Sequence, residues 1–139
     1  MYLKKILILD GMRSSDQHLF PLLVLLNDIL TKQGATVQVV SLRNLNINHC
    51  IGCFNCWDKT PGRCIYDDQA PSVITELLAS DTVIFFTPLV FGGYSSDLKR
   101  FIDRLLPLAL TLSGCSFMKF DIYYLQHHQR VIVFVFLAW

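Results

Sequence analysis

The run Thr82 to Pro88, TVIFFTP, carries no charge, and its central positions Val83, Ile84, Phe85 and Phe86 are all apolar. A stretch that short, rich in β-branched and aromatic side chains and without polar alternation, predicts a strand buried on both faces. Such a strand needs helices above and below it, and the rest of the chain supplies them in alternation. Ile6 to Leu9 is another continuous β-favouring run, followed by turn and cap residues from Asp10 to Gln17. Leu19 to Leu30 then reads as a helix, with Pro21 near its start, where the missing N–H does no harm. It is apolar on nearly every face, so it is expected to be largely buried. Gly34 ends it, and Thr36 to Leu42 alternates into a strand.

Further along, Asp67 or Asp68 is placed to cap a helix running to about Ala79, with Val73, Ile74, Leu77 and Leu78 on one face. Behind the cap candidates Ser95 and Ser96, Leu98, Phe101, Ile102 and Leu105 recur at helical spacing until Pro107, which is expected to stop the run. Arg130 to Trp139 supplies a fourth strand. Strands and helices joined by short connections imply right-handed crossovers over a parallel sheet. The expected class is α/β, a doubly wound parallel sheet in three α/β/α layers.

With 139 residues, 53% of them apolar, the chain is long enough for one well-filled core, and residues 1–139 are expected to form a single domain with a cysteine-rich insertion at 50–64. The formal charge is +1 with Lys and Arg scattered, so neither nucleic acid nor an anionic membrane surface is an expected partner. Small molecules or other proteins are. The opening MYLKKILILDGM has only a short apolar run between Lys5 and Asp10 and no small-residue cleavage site, so it is not expected to be a signal peptide, and the expected location is the cytoplasm. The closing VIVFVFLAW falls short of the roughly 20 apolar residues of a membrane span.

In doubly wound sheets, ligands sit outside the carboxyl ends of the strands, where the strand order reverses. Two loops fall there, Gly11 to Gln17 and Pro88 to Ser95. The first offers Gly11 for a sharp exit from the strand, Arg13 as a cation, the hydroxyls of Ser14 and Ser15, and a helix start that favours an anion. It reads either as a phosphate loop or as an ordinary capped loop, and Asp16 counts against the anion. In the second, Thr87-Pro88 breaks a buried strand and Gly92-Gly93 lets backbone approach closely, so a flat ring could lie there; a plain strand-to-helix turn, with Phe91 and Tyr94 as packing residues, is the other reading. No GxGxxG fingerprint is present, which favours a ligand with one phosphate over a dinucleotide.

Cys50, Cys53, Cys56 and Cys64 gather four of the chain's five cysteines within CIGCFNCWDKTPGRC. In a reducing compartment such a cluster points to metal or redox chemistry sooner than to disulfides. Four thiolates suit one Zn²⁺, the C-x2-C-x2-C run suits an iron–sulfur cubane, and metal-free thiols are the third reading. Phe54 and Trp57 could shield a redox centre or merely pack. Lys99 and Asp103 stand at the spacing of a helical ion pair, Cys115 reads as a small buried hydrophobe, and His127 and His128 as surface residues.

The order strand, loop, HCIGCFNCWDKTPGRCIYDD, helix, TPLVFGGYSSDLKRFIDR resembles the NAD(P)H-dependent FMN reductases and iron–sulfur flavoproteins of the flavodoxin-like fold, over roughly residues 3 to 107. The resemblance implies FMN at the carboxyl edge of the sheet, with its phosphate near Arg13, Ser14 and Ser15 and its isoalloxazine against Pro88, Leu89, Val90, Phe91, Gly92 and Gly93. It also implies that Cys50, Cys53, Cys56 and Cys64 match the ligand pattern of a 4Fe-4S cluster. Two departures stand out. The family's first loop commonly reads Gly-Ser-x-Arg, whereas here Met12 takes the serine's place and Arg13 comes one position early. The family also usually continues into a fifth strand and a last helix, for which this chain, stopping at Trp139, shows no counterpart. In a sheet ordered 2-1-3-4 the last strand would then be an open edge, and the expectation is either a homo-oligomer that covers it, which is favoured, or a poorly soluble, weakly flavin-binding fragment.

The function implied is an FMN-binding oxidoreductase that passes electrons from NAD(P)H to a flavin, a quinone-like molecule or a protein acceptor, with a cluster as a further carrier. The flavin would do the chemistry, and no side chain need act as general acid or base. The rival reading is a non-enzymatic protein, either an electron carrier of flavodoxin type or a cysteine-based redox sensor.

Overall fold

The computed structural model describes residues 4–111 and 131–137. Strand β1 (Lys5–Asp10) leads through a 3₁₀ turn (Ser14–Leu19) into helix α1 (Phe20–Lys32), strand β2 (Thr36–Ser41) and a short 3₁₀ turn (Leu42–Asn44). After the cysteine segment come α2 (Ala70–Leu78), β3 (Thr82–Pro88), α3 (Ser96–Asp103), α4 (Leu106–Thr111) and β4 (Val131–Leu137). The four strands are parallel in the order β2-β1-β3-β4. β1 and β3 are central, which is why both read as unbroken apolar runs.

Alternate residues of the central strands serve opposite faces, as the pleat requires. Leu7, Leu9, Val83 and Phe85 pack with Val73 of α2 and with Leu98 and Phe101 of α3. Ile6, Ile8, Ile84 and Phe86 pack with Met12 and with Leu23 of α1. The sheet is thus covered on both faces, and the three-layer doubly wound architecture expected from the sequence is the one observed.

Two expectations need correction. Helix α1 is not largely buried: only Leu23 is, while Phe20, Leu22, Val24, Leu25 and Ile29 are exposed. A helix has one stripe to offer a sheet, and apolar composition does not say how many of its faces find a partner. Pro107 does not end helical structure either. The chain bends at Arg104 and Leu105, and α4 starts with the proline in its first turn, where no N–H is needed. The Lys99–Asp103 ion pair forms as expected. Cys115, His127 and His128 lie outside the described residues.

Candidate functional site

The chain leaves β1 towards β2 on one side and is flanked by β3 on the other, so the carboxyl ends of β1 and β3 form the switch point of the sheet. The loops leaving these strands are bonded to each other. The Gly11 N–H donates to the Phe86 carbonyl (2.8 Å), and the Ser95 hydroxyl donates to the Gly11 carbonyl. Ser95 N–H in turn donates to Thr87 Oγ1 (3.0 Å), and Ser95 Oγ caps α3 by accepting from Leu98 N–H (3.3 Å). A Cβ on Gly11 would stand 3.0 Å from both Leu98 Cβ and Ser95 Oγ, so a side chain there would make these neighbours give by a few tenths of an ångström.

Within the first loop, Met12 is fully buried in the α1-side core, and its N–H donates to Asp10 Oδ1 (2.8 Å). The second residue of this loop is therefore a core position. Ser14 and Ser15 are exposed. Arg13 grips the buried Asp16 with its Nε on Oδ2 (2.8 Å) and Nη2 on Oδ1 (2.9 Å). That hydrogen-bonded fork holds the Asp16 carboxyl below its ordinary pKa and raises that of Arg13. The Nη1 edge of the guanidinium is not part of the fork, and the side chain is 39% exposed.

The second loop is a two-residue turn. Val90 and Gly93 exchange backbone hydrogen bonds (2.8 and 2.9 Å), and Phe91 (φ 48°) and Gly92 (φ 80°) between them both have left-handed backbone, the pattern of a type I′ turn. Glycine takes that conformation freely, whereas phenylalanine pays roughly 1–2 kcal/mol for it. Phe91 recovers nothing from packing, since it is fully exposed; Tyr94, by contrast, packs on the α2/α3-side core. Pro88 is buried, Leu89 exposed and Val90 half-buried. Phe91 is thus an aromatic ring held out to solvent on a strained turn after β3, while Arg13, Ser14 and Ser15 stand in the loop that follows β1.

The cysteine segment lies between β2 and α2. Cys50, Cys53, Cys56 and Cys64 are free thiols and line one small pocket, walled also by Trp57 and Tyr66. Left-handed backbone at Gly52 (φ 66°) and Phe54 (φ 55°) curls the chain between the first three cysteines. Burial pushes the Cys56 thiol pKa up, and the neighbouring Cys64, Cys50 and Cys53 push it the same way. The donors fit an iron–sulfur cluster or a zinc ion in kind and in sharing a pocket. They do not form a preformed cage: among the described residues, no three His, Cys, Asp or Glu side chains stand close enough to hold a metal ion as they are.

Sequence reasoning missed what ties this segment to the fold. Arg104, 2% exposed, forks onto the buried side chain of Asp68 through Nη1 (2.7 Å to Oδ2) and Nη2 (3.2 Å to Oδ1), and Nη1 also donates to the Asn48 carbonyl (2.9 Å). Asp68 also accepts from the N–H groups of Asn48 (2.9 Å) and Ala70 (3.0 Å). Burial alone would raise the Asp68 pKa; the hydrogen bonds from Arg104, Asn48 and Ala70 outweigh it and hold the carboxyl at about 2. Trp57 Nε1 donates to the Leu106 carbonyl (3.0 Å), fixing the middle of the segment to α4, and the Phe54 ring leans on Trp57 at 5.4 Å. The signal for Arg104 was its position three residues after Phe101, where it caps the C-terminal end of α3.

Residues 4–114 match the family described as NADPH-dependent FMN reductase. The chain is similar to an iron–sulfur flavoprotein of Methanocaldococcus jannaschii, 32% identical over 81 residues that cover 58% of this chain and 41% of that protein. It is also similar to an iron–sulfur flavoprotein of Archaeoglobus fulgidus, 28% identical over 100 residues that cover 72% of this chain and 48% of that one. The match therefore spans less than half of the length of either relative. Among solved structures, RosB with bound 8-demethyl-8-formylriboflavin-5′-phosphate aligns over 99% of this chain and 52% of its own, with a TM-score of 0.61 and 17% identity. A flavone reductase aligns over 96% of this chain and 43% of its own, with a TM-score of 0.55 and 21% identity. At these identities the likeness is one of fold, and it agrees with the doubly wound sheet and its switch point. The chain belongs to the NADPH-dependent FMN reductase family.

Proposed function

We propose that this chain is a single flavodoxin-like unit that binds FMN at the carboxyl edge of β1 and β3 and passes electrons from NAD(P)H to a flavin, a quinone-like molecule or a protein acceptor. The observation that carries the reading is the bonded pair of loops at the switch point, with Arg13, Ser14 and Ser15 in one and the strained Phe91 turn in the other. Ser14 and Ser15 hold the phosphate, and Arg13 contributes its Nη1 edge while Asp16 keeps the guanidinium in place. Pro88, Leu89, Val90, Phe91, Gly92 and Gly93 form the wall for the ring system.

Cys50, Cys53, Cys56 and Cys64 would hold a 4Fe-4S cluster, a reading supported by their common pocket and by the names of the two archaeal relatives. When bound, FMN would supply hydride-accepting chemistry and a cluster held by the four cysteines would supply one-electron transfer. The protein's part is to orient the ring, to wall it from water with Phe91, and to keep the phosphate anchored. The exposed apolar face of α1 supports a homo-oligomer. Among the described residues, no helix is long and apolar enough to cross a membrane.

The reading is tested on anaerobically purified protein supplied with FMN, by following NADPH and NADH oxidation with a quinone or free flavin present and by assaying iron and acid-labile sulfide. Turnover that depends on FMN, with iron and sulfide lost on Cys53→Ser while FMN stays bound, is the expected result. Bound FMN without pyridine-nucleotide oxidation would make the protein an electron carrier, and zinc in place of iron would overturn the cluster.

A further inference from the structure

The Arg104–Asp68 pair is a poor device for stability alone. A buried ion pair seldom outperforms apolar residues of the same size, because desolvating both charges consumes most of their attraction. Here Arg104 Nε is also buried without a hydrogen-bond partner among the described residues. What the pair does have is a particular place. Arg104 bonds the carbonyl of Asn48, two residues before Cys50, and the carboxylate of Asp68, four residues after Cys64. One side chain at the C-terminal cap of α3 therefore closes the cysteine segment at both ends. Its guanidinium lies 5.2 Å from the centre of the Tyr66 ring, and Tyr66 walls the cysteine pocket.

Resting on the cluster reading above, we propose that Arg104 is the positioning residue of the cysteine centre, clamping both ends of the Cys50–Cys64 segment and presenting a fixed positive charge behind Tyr66 that favours the reduced state. Adding an electron to a thiolate-ligated centre makes it more negative, and a cation that cannot move away stabilises that added charge without reorganisation. Asp68, whose acceptor sites are filled by Arg104, Asn48 and Ala70, balances the cation from the side of α2.

Two measurements decide the matter. In metal-free protein, hydrogen exchange compares wild type with Arg104→Met and Arg104→Lys. A clamp predicts faster exchange in Arg104→Met confined to residues 48–68, with β1 and β3 still protected and Arg104→Lys intermediate. Faster exchange throughout the domain in both variants would make Arg104 a general core residue and overturn the clamp. In anaerobically reconstituted protein, redox titration compares wild type with Arg104→Met and Asp68→Asn. Removing the cation should disfavour reduction by about tenfold, roughly 59 mV for one electron, and removing the anion should shift the potential the opposite way. Loss of packing alone would not produce shifts of opposite sign, and equal or like-signed shifts would refute the charge role. Wild-type protein that takes up no iron and sulfide would defeat the cluster reading and the charge role with it, while the exchange measurement would still decide the clamp.

Discussion

The Ser95 hydroxyl donates to the Gly11 carbonyl across 84 residues of chain, and the same oxygen caps α3. The exit of β1 and the start of α3 are thereby one rigid unit, and the proposed ligand edge is built on it. Gly11→Ala would set a methyl group 3.0 Å from Leu98 Cβ and Ser95 Oγ, tight enough that both must give by a few tenths of an ångström. The expected cost is about 1–3 kcal/mol of stability, with weaker FMN binding. Urea unfolding and FMN titration of the variant check both.

Ser14 and Ser15 are exposed and contribute little to the core, so replacing both with Ala should leave stability nearly unchanged. Each lost hydrogen bond to a phosphate is worth about 1.5–3 kcal/mol, or roughly ten- to a hundredfold in affinity. Unchanged FMN affinity by fluorescence titration would remove this loop from the site.

Phe91 sets strain against function. Phe91→Gly relieves the left-handed backbone and should stabilise the fold by up to about 1 kcal/mol, because the exposed ring packs on nothing that glycine would forfeit. If the ring walls the flavin, the same variant binds FMN less tightly. A gain in melting temperature together with a loss of FMN affinity is the expected outcome.

The Asp68 carboxyl, with an ordinary pKa of 3.8, is held at about 2 in the folded protein. A depressed carboxylate contributes stability that is complete above its unfolded pKa and is lost as pH falls towards its folded one. The loss should therefore run from about pH 4 down to about pH 2 and amount to roughly 2 kcal/mol. Asp68→Asn should flatten that part of the stability profile. It should also lower stability at neutral pH by about 3–5 kcal/mol, because Arg104 is left buried without its counter-charge. Denaturant unfolding across the acid range measures both effects.

Much of this fold was legible because the sheet's demands are local. Val83 to Phe86 and Ile6 to Leu9 are apolar at every position because both faces of β1 and β3 are covered, and the Ser95 cap stands directly ahead of the α3 stripe. The exposure of Phe20, Val24 and Leu25 was not legible, since it depends on what α1 faces and not on what α1 is. The same limit hid the Arg104–Asp68 pair: its partners lie 36 residues apart, and neither spacing nor composition links them. Arg13 and Asp16, only three positions apart, were close enough to suggest a fork, and the sequence reading counted Asp16 merely as a charge unfavourable to an anion. The cysteines showed their donor chemistry in the sequence, whereas the pocket they share became visible only once the segment was tied to α3 and α4.

The central claim is that the joined loops of β1 and β3 form a flavin site, and anaerobic titration of the purified protein with FMN followed by NADPH tests it most directly. The account predicts one FMN bound per chain, bleaching of its visible absorbance when NADPH is added, and recovery of the oxidised spectrum when a quinone follows. A chain that is folded by circular dichroism yet leaves FMN free in solution, as seen by equilibrium dialysis, would contradict it.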